Sequence, residues 1–328
     1  ITGERGWVFP FDLAKTNNPG NYEFSSPNSW TPYRSVVQKP HKVTVDYGIL
    51  GCAVTCSDSV ITINFKHDRT TVKPPMNHLI IYHNVGEFPY WIHFGEDELL
   101  VECTTNNPDE GYTDVYFTDP VETLNIQFCR INDAAPELEI HGFLMMNDEP
   151  GFSYTAIGIN GAGLYTYLEN IRFEEQLKSY PPDFFAYSVG TNDGNVPYAD
   201  FKPQVYKSNL EQMMQMALRA NPDCALLLTV PNDSYYRRRH LNKNIARERD
   251  MIRELAAKYD MAVWDLYGLM GGLGSSKTWK VNGLMRSDLI HFTYLGYHFK
   301  GELYIDGLLK FMDQMQERKM VNHSEEGI

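Results

Sequence analysis

The feature that most constrains this chain is a change of texture near residue 150. Before it, short apolar-polar alternating runs follow one another: "HKVTVDYGI", "SVITINFKH", "HLIIYHN", "YWIHFGE", "ELLVECTT", "TDVYFTD", "TLNIQFCRI" and "LEIHGFLMM". A period of two over four to eight residues is that of half-buried strands, and the breakers between them (Asn-Asn-Pro-Asp, Pro-Pro, Gly-Glu-Asp) are turn formers. Many short strands at regular spacing predict an antiparallel sandwich. After about residue 155 strands and helices alternate: strand "YTAIGI", helix "LYTYLENIRFEEQLKSY" with Leu164, Leu168, Ile171 and Leu177 on one stripe, and strand "DFFAYSV". Helix "VYKSNLEQMMQMALRAN", strand "CALLLTV", helix "IARERDMIRELAAKY" and strand "MAVWDL" follow. That order predicts a parallel sheet covered by helices. The first twenty residues match neither texture.

The 328 residues carry a formal charge of −13, which argues against a nucleic-acid partner because phosphate binding needs a clustered positive surface. Arg237–Arg239 is a short basic run and reads as a solvated face. The five cysteines show no paired CxxC spacing. Cys52 and Cys56 share a strand-like run, roughly 13 Å apart if extended, which is too far for a disulfide. No zinc site, other metal site or cofactor is indicated, and Met213, Met214 and Met216 read as core filling. No run is long enough for a membrane span, and no signal peptide is present.

Three loops of the second half hold the residues with chemistry. "TAIGI" runs into Asn160-Gly161-Ala162-Gly163, "DFFAYSV" into Gly190-Thr191-Asn192-Asp193, and "RSDLIHFTYLGY" places Asp288 three residues before His291 and ahead of a last helix. Each alone reads as a turn or a cap. All three are expected on one edge of one sheet, where α/β proteins place their active sites.

Together these loops resemble the SGNH (GDSL-type) hydrolase superfamily. The resemblance covers roughly residues 155–310, with Gly161 matching the second-block glycine, Asn192 the third-block asparagine and Asp288-x-x-His291 the fifth block. It implies a three-layer α/β/α flavodoxin-like domain catalysing acyl transfer. His291 would be the general base oriented by Asp288, the Gly161 N–H and Asn192 amide would form the oxyanion hole, and Thr191 and Asp193 are possible substrate contacts. A side chain at Gly161 is expected to block the acyl oxygen. "GWVFPFDLAKTNNPGNYEFSS" and "GINGAGLYTYL" further resemble a Bacteroidetes-type branch with a β domain inserted between the first and second blocks, similar to peptidoglycan O-acetylesterases. The expected division is residues 1–22 as a segment of the SGNH domain, 23–150 as an inserted jelly-roll-like sandwich of carbohydrate-binding type, and 151–328 as the hydrolase domain.

One departure is serious: the first-block Gly-Asp-Ser, which carries the nucleophile, is absent from the sequence. Ser57 and Ser59 fall in the β region, Ser188 lies inside a strand and Ser153 precedes one, so none offers a strand-to-helix turn. The first strand of a flavodoxin-like sheet is central, and Pro10 unfits "GWVFPF" for that place. The nucleophile is therefore expected upstream of Ile1. The leading expectation is a secreted or periplasmic esterase that removes O-acetyl groups from a polysaccharide or peptidoglycan. The alternatives are a catalytically inactive glycan-binding protein and a lipase or thioesterase on the same scaffold. Tyr90 and Trp91 are the candidate sugar platforms of the β region.

Overall fold

The computed structural model describes residues 6–16, 22–36, 45–67, 75–86, 89–132, 134 and 136–325, with side chains to 316. It divides into two compact units, residues 1–162 with 166–180, and residues 163–165 with 181–328.

The first unit holds the strands β1 Gly6–Val8, β2 Tyr22–Ser25, β3 Thr31–Arg34, β4 Cys52–Cys56, β5 Val60–His67 and β6 Met76–His83. The series continues with β7 Tyr90–His93, β8 Val101–Asn107, β9 Tyr112–Val121, β10 Leu124–Arg130 and β11 Leu138–Met146. They form two antiparallel sheets, β3-β4-β11-β6-β9-β8 with β1 also on β11, and β2-β5-β10-β7. β5 and β10 alternate buried and half-buried residues as their sequences predict, whereas β11 is buried nearly throughout. Phe24 of the smaller sheet stacks on Phe143 of the larger with ring centroids 5.2 Å apart, so the inner faces close into one aromatic core. β11 carries β4 along its first half and β1 along its second. At Gly142, φ is +144° and an added β-carbon would sit 3.0 Å from the Val8 carbonyl oxygen, so the join of β1 to β11 needs a glycine. Residues 6–8 thus lie on the sandwich's sheet, in a unit that also takes in residues 151–162 and 166–180, which differs from the division expected from the sequence.

Several expected elements take other forms. Of "HKVTVDYGI", residues 41–44 lie outside the described residues, and 45–48 run into a turn closed by Gly51 N–H on Gly48 O. "YTAIGI" is not a strand. Its polar groups find other partners than a strand ladder: Thr155 Oγ1 accepts from Trp7 N–H at 3.2 Å, and the Tyr167 hydroxyl donates to Ile157 O and accepts from Ile159 N–H. The helix expected over 164–180 is split into α1 Leu164–Leu168 and α2 Phe173–Ser179. Arg172 N–H donates to Tyr47 O at 3.1 Å, and Ile171, assigned to the apolar stripe, is exposed.

The second unit is built on a parallel sheet in the order β12-β13-β16, where β12 is Phe184–Tyr187, β13 Ala225–Val230 and β16 Ala262–Asp265. A small hairpin of β14 Tyr235–Tyr236 and β15 His240–Leu241 precedes β16. α3 Pro203–Ala220 begins with Pro203 in its first turn, where a missing N–H costs nothing. It buries Tyr206, Leu210, Met213, Met214 and Ala217, one helical stripe, with two of the three methionines in the core. α4 Asn244–Tyr259 buries Ile245, Ile252, Leu255 and Ala256 and stops at Asp260 in the left-handed conformation. α5 Leu266–Met270, α6 Ser275–Val281 and α7 Tyr294–Glu325 follow, with Leu266, Met270, Trp279, Met285 and Phe292 forming a second core cluster. Among the described residues no helix is long and apolar enough to cross a membrane.

Candidate active site

The loops at the carboxyl ends of β12 and β13 meet. Gly190 has φ +118°, and a β-carbon there would lie 2.8 Å from Pro231 Cγ and 2.9 Å from Tyr206 Oη, so the position admits no side chain. Gly194 N–H closes the loop on Gly190 O at 2.8 Å. From the β13 loop, Asn232 Nδ2 donates to Ile290 O at 3.1 Å, and Tyr235 N–H donates to Leu289 O at 3.1 Å. The turn that carries Asp288 and His291 is therefore tied to the end of β13.

Within that turn Arg286 N–H bonds to His291 O at 2.8 Å, and Leu289 takes a positive φ of 56°. This reverses the chain so that Asp288 faces its own turn. Asp288 Oδ1 accepts from the N–H groups of Ile290 and His291, and Oδ2 accepts from His291 Nδ1, each at 2.9 Å. A carboxylate only accepts, so Nδ1 carries the hydrogen and Nε2 is the basic nitrogen of the neutral ring. Partial burial works to raise the Asp288 pKa, but the hydrogen bonds from His291 and Ile290 outweigh it and hold it down at about 2. The His291 ring is 59% exposed and its aspartate 18%: a solvent-facing base on a shielded, permanently charged partner.

Of the other expected site residues, Thr191 is half-buried and Asn192 exposed on the Gly190–Gly194 loop. Asp193 turns inward, where Leu164 N–H donates to its two carboxylate oxygens at 3.0 and 3.3 Å. Burial pushes its pKa up to about 6 against the pull of that N–H. A carboxyl group engaged with the backbone in this way shapes its loop. Gly161 belongs to the first unit, exposed, with φ +83°; among the described residues an added β-carbon would meet only Val36 Cγ1, at 3.4 Å. The backbone angle, rather than crowding by any described residue, is what demands glycine there.

Sequence reasoning missed the supports of these loops. Asn232 was signalled only by the Pro-Asn-Asp run after β13. Asn244, Glu248 and Tyr206 lie behind the Gly190–Gly194 loop, and the signal for Glu248 was a carboxylate on the apolar stripe of α4. Asp233 is fully buried, with Oδ2 accepting from Ser276 N–H at 2.9 Å and Ser276 Oγ at 2.7 Å. The described cysteines are free, and burial pushes the Cys52 thiol up to about 12, which removes it as a nucleophile near neutral pH. Among the described residues no group of three or more His, Cys, Asp or Glu could hold a metal ion.

A model of the GDSL-like lipase/acylhydrolase family matches residues 145–299. A solved structure of a peptidoglycan O-acetylesterase is similar over 95% of this chain and 83% of its own, with 17% identity and a TM-score of 0.70. An acetyl xylan esterase shares 21% identity over 48% of this chain and 79% of its own, with a TM-score of 0.37. A GDSL-like lipase from Bacteroides thetaiotaomicron shares 19% over 48% and 75%, with a TM-score of 0.38. No curated protein sequence matches. The family match falls on the segment that carries Gly161, the Gly190–Gly194 loop and the Asp288–His291 pair, and the likeness at a TM-score of 0.70 takes in the sandwich as well. Residues 145–299 are accordingly similar to the GDSL-like lipase/acylhydrolase family.

Proposed function

We propose that the chain works as a serine esterase that removes O-acetyl or other short acyl groups from a glycan outside the cytoplasm. The observation that carries this reading is the Asp288–His291 pair, 2.9 Å apart at the carboxyl edge of a parallel sheet. In the proposed mechanism His291 Nε2 takes the proton of a serine as it attacks the acyl carbon, and Asp288 stabilises the imidazolium that forms. The Asn192 amide serves as an oxyanion donor. The serine itself is to be supplied from outside these 328 residues, since no Gly-Asp-Ser is among them. The glycan is supported by the peptidoglycan O-acetylesterase likeness and by Trp91, which stands 65% exposed on β7.

The test is turnover by the complete natural protein. It should release acetate from O-acetylated peptidoglycan or xylan and hydrolyse 4-nitrophenyl acetate much faster than the decanoate ester. Preference for the long chain would replace the glycan by a lipid, and no turnover of any ester would leave a binding protein.

A further inference from the structure

Behind the Gly190–Gly194 loop lie polar groups that the proposed chemistry leaves unused. Glu248 of α4 is fully buried, and neither of its carboxyl oxygens has a hydrogen-bond partner among the described residues. The Tyr206 hydroxyl of α3, also buried, has none either. Both reach the same spot under the loop. A β-carbon on Gly190 would lie 2.9 Å from Tyr206 Oη and 3.1 Å from Glu248 Oε2, and one on Gly194 would lie 2.5 Å from Glu248 Oε1. Two glycines thus let the backbone settle directly onto a carboxyl group. The same helix grips the loop one turn earlier, where Asn244 Nδ2 donates to Gly194 O and Val196 O, each at 3.0 Å. Asn244 and Glu248, four residues apart, share one helix face.

A side chain that only filled space here would be better apolar, because a buried carboxyl without partners is costly. Burial, and then the negative charge of Asp193, drive the Glu248 pKa far above the usual carboxylate range. Its neutral form offers an O–H donor and a carbonyl acceptor to the groups around it. A buried polar group of this kind, placed against the backbone of a functional loop, calls for a role in holding that loop.

We propose that Glu248 is a positioning residue: a neutral carboxylic acid that, with the Tyr206 hydroxyl, sets the seat of the Gly190–Gly194 loop and thereby the direction of the Asn192 amide. This rests on the reading of Asn192 as an oxyanion donor.

Glu248→Gln, Glu248→Leu and Tyr206→Phe in the complete protein test it by two independent readouts: kcat and KM for 4-nitrophenyl acetate, and hydrogen–deuterium exchange of residues 190–196. Glu248→Leu should lower kcat about ten- to hundredfold through misplacement of the donor, with KM within about twofold, and should speed exchange of the loop. Glu248→Gln, neutral and of the same shape, should restore most of kcat and the protection. If Glu248→Leu does not fold, Tyr206→Phe should loosen the loop while Glu248→Gln does not. Unchanged kcat and exchange in Leu and Phe variants alike would overturn the proposal. So would a Glu248→Gln variant as damaged as the leucine one, since an ionised carboxylate would then be required. If the wild-type protein cleaves no ester, the esterase reading fails, and the exchange arm still judges Glu248.

Discussion

Each unit of the molecule holds an aspartate–histidine pair, and the two are arranged in opposite ways. In the sandwich, His78 of β6 meets Asp114 of β9 through Nε2 at 2.5 Å, and its ring stacks on Tyr116 at 4.0 Å. Both partners are largely shielded on the face of a sheet, at 19% and 24% exposure. In the α/β unit, His291 meets Asp288 through Nδ1 and turns the rest of its ring to solvent. The first arrangement uses up the outer nitrogen and clamps the ring as a cross-strand tie. The second anchors the inner nitrogen and leaves Nε2 for a proton in transit. Proximity of the two residue types is common to both; which nitrogen is spent decides what the pair can do.

The largest expected effect is a break of this symmetry. His291→Ala in the complete protein should lower ester hydrolysis by about 10³-fold or more, and Asp288→Asn by a comparable factor through the wrong tautomer. His78→Ala should leave turnover within about twofold and cost about 1 kcal/mol of stability. Steady-state rates and denaturant melts on the three variants check this. A His78 variant that loses activity while His291→Ala keeps it would reverse the assignment.

Asn192 comes next. Asn192→Ala should lower kcat by about 10²–10³, some 3–4 kcal/mol, if its amide faces the developing oxyanion. A change confined to KM would make Asn192 a substrate contact. No counterpart of this effect is expected from the sandwich, where Asn125 Nδ2 only bonds Asn64 Oδ1 across two strands.

What was legible in the sequence follows the same division between local pattern and tertiary support. β5, β10, α3 and α4 were readable because their apolar spacing answers to a single buried face. Asp288 and His291 were readable because three residues suffice to close their turn. "YTAIGI" misled because its apolar residues look like a strand, while the Tyr167 hydroxyl takes the place of a ladder partner. Ile171 misled because Arg172 is drawn to Tyr47 O, a partner far off in sequence. Asn232, Asn244 and Glu248 carry no local signature of their role, since each holds a backbone segment that only the fold brings to it.

A smaller effect separates loop-shaping carboxylates from catalytic ones. The unfolded pKa of Asp193 is near 3.8 and its folded value about 6, so the folded state binds this proton more tightly. The stability so gained is full below pH 4 and is lost as pH rises through 6. Asp193→Asn removes the titration. The variant should therefore gain on the wild type by about 2 kcal/mol between pH 4.5 and 7.5, the rest of the two-unit shift falling below pH 4.5. Thermal melts at the two pH values measure it. An equal difference at both would mean that Asp193 is not buried as a loop anchor. For Asp288 the sign is opposite: its contribution is present above pH 4 and is lost as pH falls through 2.

The smallest expected effect tests whether the sandwich touches glycan at all. Tyr90 does not qualify as a platform, because it is buried and its hydroxyl donates to Pro136 O at 2.6 Å. Trp91, the next residue, points to the other face by strand alternation and stands opposite Cys129 of β10. Gln127 lies across from His93 and Thr62 in the neighbouring row, so the indole borders side chains able to bond sugar hydroxyls. An aromatic face on an exposed sheet contributes about 0.5–1.5 kcal/mol by stacking. Trp91→Ala should accordingly weaken binding of an acetylated polysaccharide about two- to tenfold, with turnover of 4-nitrophenyl acetate untouched. Isothermal titration of the complete protein carrying His291→Ala, with and without Trp91→Ala, separates the two functions. Equal affinities would take glycan contact away from this face and leave the sandwich a structural partner of the hydrolase fold.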